Sequence, residues 1–154
     1  MNYREMRSLP AMFYAQAERY GDQPFLWRKQ SREWQPLTWR DVAERARALA
    51  AGLKGLGVGK GDRVTLVSEN RPDWMIADLA IMTAGAITVP AYTTNTVNDH
   101  VHILSDSGSK CVIVSTAALA DAVLPAAAKV PGVTHVIAIE PPAIAVPDGV
   151  RVLT

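Results

Sequence analysis

The sequence predicts an α/β fold: a mainly parallel sheet with helices on both faces, preceded by an N-terminal helix and a β-hairpin. Three observations carry this. From residue 63 onward, short apolar runs alternate with segments of helical length. Those runs lack the polar alternation of a half-exposed strand, so both of their faces must be covered, which suits parallel strands joined by right-handed helical crossovers. Finally, 154 residues that are 49% hydrophobic and 20% charged suffice for one domain with a sizeable core and leave little room for two.

Taken in order, Leu9, Met12, Phe13, Gln16, Ala17 and Tyr20 recur at three- and four-residue steps, which predicts an amphipathic helix with Pro10 in its first turn and Gly21 as its stop. Pro24–Arg28 and Glu33–Leu37 flank the polar Lys29-Gln30-Ser31-Arg32 and read as a hairpin, with Pro36 suited to an edge. Thr38 then caps a helix that presents Val42, Ala46, Leu49, Leu53 and Leu56. Gly55, Gly57, Gly59 and Gly61 follow and invite a phosphate-loop reading. Their order is wrong for it: such a loop follows a strand and opens a helix, whereas these glycines close a helix and lead into a strand, so a cap and turn is expected.

The alternation beyond them predicts strands at 63–67, 86–89, 111–114 and 134–139. Helices are expected at Pro72–Ala84, Val97–Ser107 and Ala117–Lys129, the last interrupted or bent at Pro125. The apolar stretch Trp74–Ala91 resembles a membrane span in composition, but Asp78, Gly85 and Pro90 divide it, so it reads as a buried helix and strand and no transmembrane segment is expected. Pro141–Gly149 is a loop, and Val150–Thr154 looks like a strand beginning flush with the last residue. That pattern predicts a truncated piece of a longer domain.

A net charge of +1 argues against a nucleic-acid partner. Residues 1–63 carry twelve basic and seven acidic side chains and residues 64–154 four and eight, a split that a solvated helix face explains. Cys111 is the single cysteine, which excludes an intrachain disulfide framework and, with no signal-like opening segment, points to a cytoplasmic chain.

Candidate chemistry is sparse. His100 and His102 are two apart on a helix and face different sides, so they do not grip one metal together, and no metal site is expected. His135 reads as a surface histidine, and Cys111 as a desolvated structural thiol. The serines show no nucleophile elbow. In an open parallel sheet, ligands gather at the carboxyl ends of strands, here Ser68-Glu69-Asn70, Tyr92-Thr93-Thr94-Asn95-Thr96 and Ser115-Thr116. Tyr92, Thr93, Thr94 and Asn95 are the ligand-facing candidates, although Asn95 or Thr96 also suits the N-cap of the helix at Val97. Trp27, Trp34, Trp39 and Trp74 are expected mostly as packing anchors.

Five segments read together carry a resemblance: Leu37-Thr38-Trp39-Arg40-Asp41-Val42, Gly61-Asp62-Arg63-Val64, Asn70-Arg71-Pro72-Asp73-Trp74, Ala84-Gly85-Ala86-Ile87-Thr88-Val89-Pro90 and Leu104-Ser105-Asp106-Ser107-Gly108-Ser109-Lys110. From about Leu9 to Ile139 the chain resembles the start of the AMP-forming adenylate enzymes, most of all the long-chain fatty-acid CoA ligases. The resemblance implies an incomplete N-terminal subdomain, with 1–154 belonging to the large AMP-binding domain. Within it, 9–38 form the helix plus hairpin, 39–140 the α/β layer, and 141–154 a loop and truncated strand. It also implies fatty acid, ATP and CoA as partners of the full-length enzyme, with Mg, and a cytoplasmic location that extends to the inner-membrane periphery. The family's Pro-Lys-Gly phosphate loop, Thr-Glu magnesium motif, ribose-binding Asp and C-terminal catalytic Lys have no counterparts here. No catalytic or cofactor-binding residue is therefore assigned, and the fragment is expected to bind no cofactor and to be inactive alone. Tyr92-Thr93-Thr94 departs from the family's usual Pro-Thr pair after Val-Pro, which alters the expected loop shape. The competing readings are a non-catalytic oligomerisation or interaction module built on the same layer, which self-associates, and a stand-alone nucleotide-binding domain.

Overall fold

A computed structural model describes residues 7–154. Helix α1 (Leu9–Tyr20) starts at Ser8, whose hydroxyl accepts from the Ala11 N–H at 3.3 Å, and stops at Gly21, with Pro10 in the first turn. Strands β1 (Pro24–Gln30) and β2 (Glu33–Thr38) pair antiparallel, joined by Ser31 and Arg32, both at positive φ. This is the tight two-residue connection whose twist matches that of the strands. Helix α2 (Trp39–Gly55) opens on a capping box in which the Thr38 hydroxyl accepts from the Asp41 N–H at 3.1 Å and the Asp41 carboxylate accepts from the Thr38 N–H at 2.9 Å. Those bonds from Thr38 hold the Asp41 carboxyl below its ordinary range.

The main sheet contains β3 (Arg63–Val67), β4 (Ile87–Ala91), β5 (Ser109–Val114), β6 (His135–Ala138) and β7 (Arg151–Leu153). All are parallel, in the spatial order β4-β3-β5-β6-β7. Helices α3 (Pro72–Thr83), α4 (Val97–Ser107) and α5 (Ala117–Ala128) make the crossovers. Strand alternation divides the core in two. Val64, Leu66, Cys111 and Ile113 pack with α2 and α3 on one face, and Val67, Val112, Val114 and Val136 pack with α4 and α5 on the other. A third cluster joins Phe13 of α1 and Leu37 of the hairpin to Val42 and Ile76. There Phe25 stacks on Trp39 with ring centroids 3.8 Å apart. The predicted α/β architecture is thus the one observed. Among the described residues no helix is long and apolar enough to cross a membrane; α3 is largely apolar, Asp73 and Asp78 apart, because it packs between α2 and the sheet.

Several elements differ from the expectation by one or two residues, and three details have a local reason. Strand β4 begins one residue later than predicted and runs through Pro90 to Ala91. It lies at the sheet margin, where a missing N–H on its open side removes no ladder bond. Strand β5 starts at Ser109, whose hydroxyl lies 2.7 Å from that of Thr65 inside the sheet, a polar start that apolar pattern alone does not reveal. Helix α5 continues through Pro125. The carbonyl this proline leaves unpaired belongs to Asp121, which is exposed to water.

Two of the resembling segments meet at the amino ends of the strands and are architectural. Arg63 donates to the carbonyls of Ser107 at 2.6 Å, Gly108 at 3.0 Å and Gly61 at 3.1 Å, which ties the start of β3 to the end of α4. Lys110 pairs with Asp62 at 3.2 Å. Within the Val150–Thr154 segment β7 pairs with β6 inside the same chain, while among the described residues the outer edge of β7 has no partner strand.

Candidate functional site

Strand order fixes where the site belongs. The chain steps from β3 outward to β4, then returns past β3 to β5, so the crevice between β3 and β5 at their carboxyl ends is the topological switch point. Three of the sequence-predicted segments converge around it. The crevice itself is filled from within: the Glu69 carboxylate accepts a short hydrogen bond from the Ser115 hydroxyl and a longer one, 3.4 Å, from Thr116. The Ser115 bond is the main reason the Glu69 carboxyl is held below its ordinary range. Beside it, Arg71 donates to Asp73 at 2.9 Å and to Glu140 at 3.0 Å, which joins the start of α3 to the segment after β6. These groups are satisfied by one another.

Next to this knot, between the ends of β3 and β4, lies a cavity of about 400 Å³ lined by Ser68, Glu69, Asn70, Trp74, Pro90, Ala91, Tyr92 and Thr93. Tyr92, 81% exposed, and Thr93 stand on its rim. Thr94 is exposed and does not line the cavity. Asn95 is half-buried, and its amide nitrogen has no hydrogen-bond partner. The cap of α4 belongs to Thr96, whose hydroxyl and backbone exchange hydrogen bonds with Asp99.

A larger cleft of about 520 Å³, which the sequence reading did not single out, opens between the hairpin and the start of α3. Trp27, Lys29, Trp34, Asn70 and Arg71 are among its walls. The signal was present in the two hairpin tryptophans. Trp39 and Trp74 pack into cores as expected, but Trp27 and Trp34 do not, because the hairpin register turns them away from Leu37 and the core.

The remaining titratable candidates sit apart from both cavities. His100 is buried within α4 and His102 is exposed, so they occupy different sides of the helix. Burial pushes the His100 imidazole below its ordinary pKa, with Asp99 opposing. Burial likewise pushes the Cys111 thiol up to about 12, which keeps it in the unreactive thiol form. His135 Nδ1 lies 2.9 Å from the Thr134 hydroxyl.

These residues do not fit a magnesium triphosphate. The glycines at 57, 59 and 61 lie past the carboxyl end of α2, at the opposite end of β3 from both cavities. A helix carboxyl terminus presents carbonyls and repels phosphate. At the switch point the carboxylate and guanidinium are committed to internal bonds.

Comparison with known proteins places this architecture. A profile described as "AMP-binding enzyme" matches residues 13–150. A long-chain-fatty-acid–CoA ligase of Mycobacterium tuberculosis is 37% identical over 106 residues, covering 69% of this chain and 18% of that protein. One from Salmonella typhimurium is 36% identical over 115 residues, covering 74% and 20%. The adenylation domain of a Mycobacterium chelonae carboxylate reductase superimposes with a TM-score of 0.76 at 22% identity, over 85% of this chain and 23% of that one. The N-terminal subdomain of Klebsiella oxytoca NpsA does so with 0.65 at 30%, over 71% and 28%. The chain spans about a fifth of the length of the ligases it matches. A match running from α1 to the start of β7, on a fold shared with adenylation domains, assigns the chain to the AMP-binding enzyme family.

Proposed function

We propose that residues 1–154 are the N-terminal part of the large AMP-binding domain of a long-chain fatty-acid CoA ligase. Residues 9–38 supply a helix and hairpin, 39–140 the α/β layer, and 141–154 a loop and final strand. The observation that carries this is the 36–37% identity to long-chain ligases over about 70% of the chain. In the whole enzyme, the fatty-acid carboxylate attacks the α-phosphorus of ATP and expels pyrophosphate, and the CoA thiol then attacks the acyl carbon and expels AMP. The groups that position ATP, Mg and CoA belong to the remainder of the ligase, so this chain is structurally competent and inactive alone. Its contribution to a ligand lies on the Tyr92, Thr93, Thr94 and Asn95 loop, which borders the 400 Å³ cavity. The enzyme works in the cytoplasm and at the periphery of the inner membrane.

The experiment is a chimera in which the matched N-terminal region of the Salmonella typhimurium ligase is replaced by residues 9–139 of this chain. Oleoyl-CoA formation is expected within about tenfold of the parent, because the catalytic groups are unchanged and only their scaffold is exchanged. A soluble, cooperatively melting chimera that forms no acyl-CoA would overturn the reading. An interaction module is the competing reading, supported by the outer edge of β7, which is unpaired among the described residues. It predicts concentration-dependent self-association of the 154-residue chain together with an inactive chimera.

A further inference from the structure

Residues 27–36 of the β1–β2 hairpin are exposed without interruption, with the start of α3 across the 520 Å³ cleft as their neighbour among the described residues. A two-stranded ribbon that leaves most of its surface in water is marginal, and this one carries two indoles, Trp27 at 51% and Trp34 at 63% exposure. The pairing puts both on one face. Trp27 lies opposite Pro36 and Lys29 opposite Trp34, while Leu26 and Leu37 point the other way and anchor the base of the hairpin in the core. Lys29 shares the face of the indoles and Arg32 stands in the connecting turn, while Arg28 projects from the opposite face; Glu33 is the only acid among residues 27–36. None of the three cations is ion-paired among the described residues.

Indoles favour the boundary between headgroups and acyl chains, where the ring is buried and the N–H stays wet. Unpaired cations beside them favour anionic headgroups. A second copy of the chain is a poor occupant, because each arm carries three cations against one acid and two such arms repel. We propose that the hairpin is a membrane-docking arm that seats Trp27 and Trp34 in the interface of an anionic bilayer, with Lys29 and Arg32 on the lipid phosphates. This rests on the peripheral location proposed above and adds the surface that achieves it.

The test is co-sedimentation of the 154-residue chain with vesicles of mixed phosphatidylglycerol and phosphatidylcholine, and with vesicles of phosphatidylcholine alone. Binding is expected to the anionic vesicles and to weaken with salt. It is expected to fall about tenfold or more in a Trp27→Ser, Trp34→Ser double variant, and by a similar factor in Lys29→Gln, Arg32→Gln. Indole emission should shift to the blue with lipid in the parent and not in the tryptophan variant, whose remaining Trp39 and Trp74 are packed in cores. All four positions are exposed, so thermal melts of the variants should match the parent. Absence of binding to anionic vesicles, or undiminished binding by the tryptophan variant, overturns the proposal. So does tryptophan-dependent self-association in lipid-free buffer, which would give the face to a second copy. Vesicle binding and acyl-CoA formation by the chimera are separate readouts, so either reading can fail without the other.

Discussion

Leu66→Ala is expected to destabilise the chain by about 3 kcal/mol, within the ~2–5 kcal/mol span of buried leucine truncations. Leu66 lies on β3, hydrogen-bonded between β4 and β5, and its fully buried side chain meets α2 and α3. A residue with strands on both sides and helices above it cannot be replaced by collapse of its surroundings, so the cavity persists. With roughly 2–4 °C lost per kcal/mol at this size, the melting temperature followed by circular dichroism should fall by about 10 °C. Tyr92→Ala, at an exposed position, should change stability by about 0.5 kcal/mol or less. Equal effects of the two variants would contradict the layered core described here.

The second large effect is expected at the amino ends of the strands. Gly108 closes α4 with φ +60, and a Cβ there would stand 2.6 Å from the Arg63 guanidinium. Gly108→Ala therefore adds left-handed strain of about 1–2 kcal/mol and displaces a guanidinium that donates to three carbonyls. A loss of about 3 kcal/mol in urea unfolding is expected, since hydrogen bonds from a charged donor contribute roughly 1.5–3 kcal/mol. Gly132→Ala, with no neighbour in reach of the new methyl group and no positive φ, is the near-neutral control. Because strain and displacement act through one contact, Gly108→Ala combined with Arg63→Ala should lose less than the sum of the two single variants. Strict additivity would show that Arg63 is not the contact that matters.

The parallel layer was legible in the sequence because burial on both faces leaves a continuous apolar run, as in Val64–Val67 and Cys111–Val114. Caps were legible for the same kind of reason: Thr38 with Asp41 is a local signature that long-range packing does not alter. Ser109 was missed as the start of β5 because its partner, Thr65, is 44 residues away. Which of the four tryptophans anchor the core was not legible, because exposure depends on which face of a ribbon meets the core, and a one-residue difference in register reverses it. At the site, the sequence located the carboxyl-end loops but not their connection. That Glu69 reaches Ser115 and Thr116 follows from β3 and β5 being neighbours, and strand order is a tertiary property that neither run encodes alone.

The proposed role of this chain is to supply N-terminal architecture to a ligase whose phosphate-handling groups lie elsewhere. Fatty-acid-dependent exchange of labelled pyrophosphate into ATP tests it most directly, because it reads the first half-reaction alone and needs no CoA. With oleate, MgATP and the 154-residue chain, the expected exchange is no greater than in a protein-free blank, since phosphoryl chemistry depends on positioned cations and amides. The Salmonella typhimurium ligase, assayed in parallel, should exchange. Oleate-dependent exchange by the isolated chain above the blank would contradict the account.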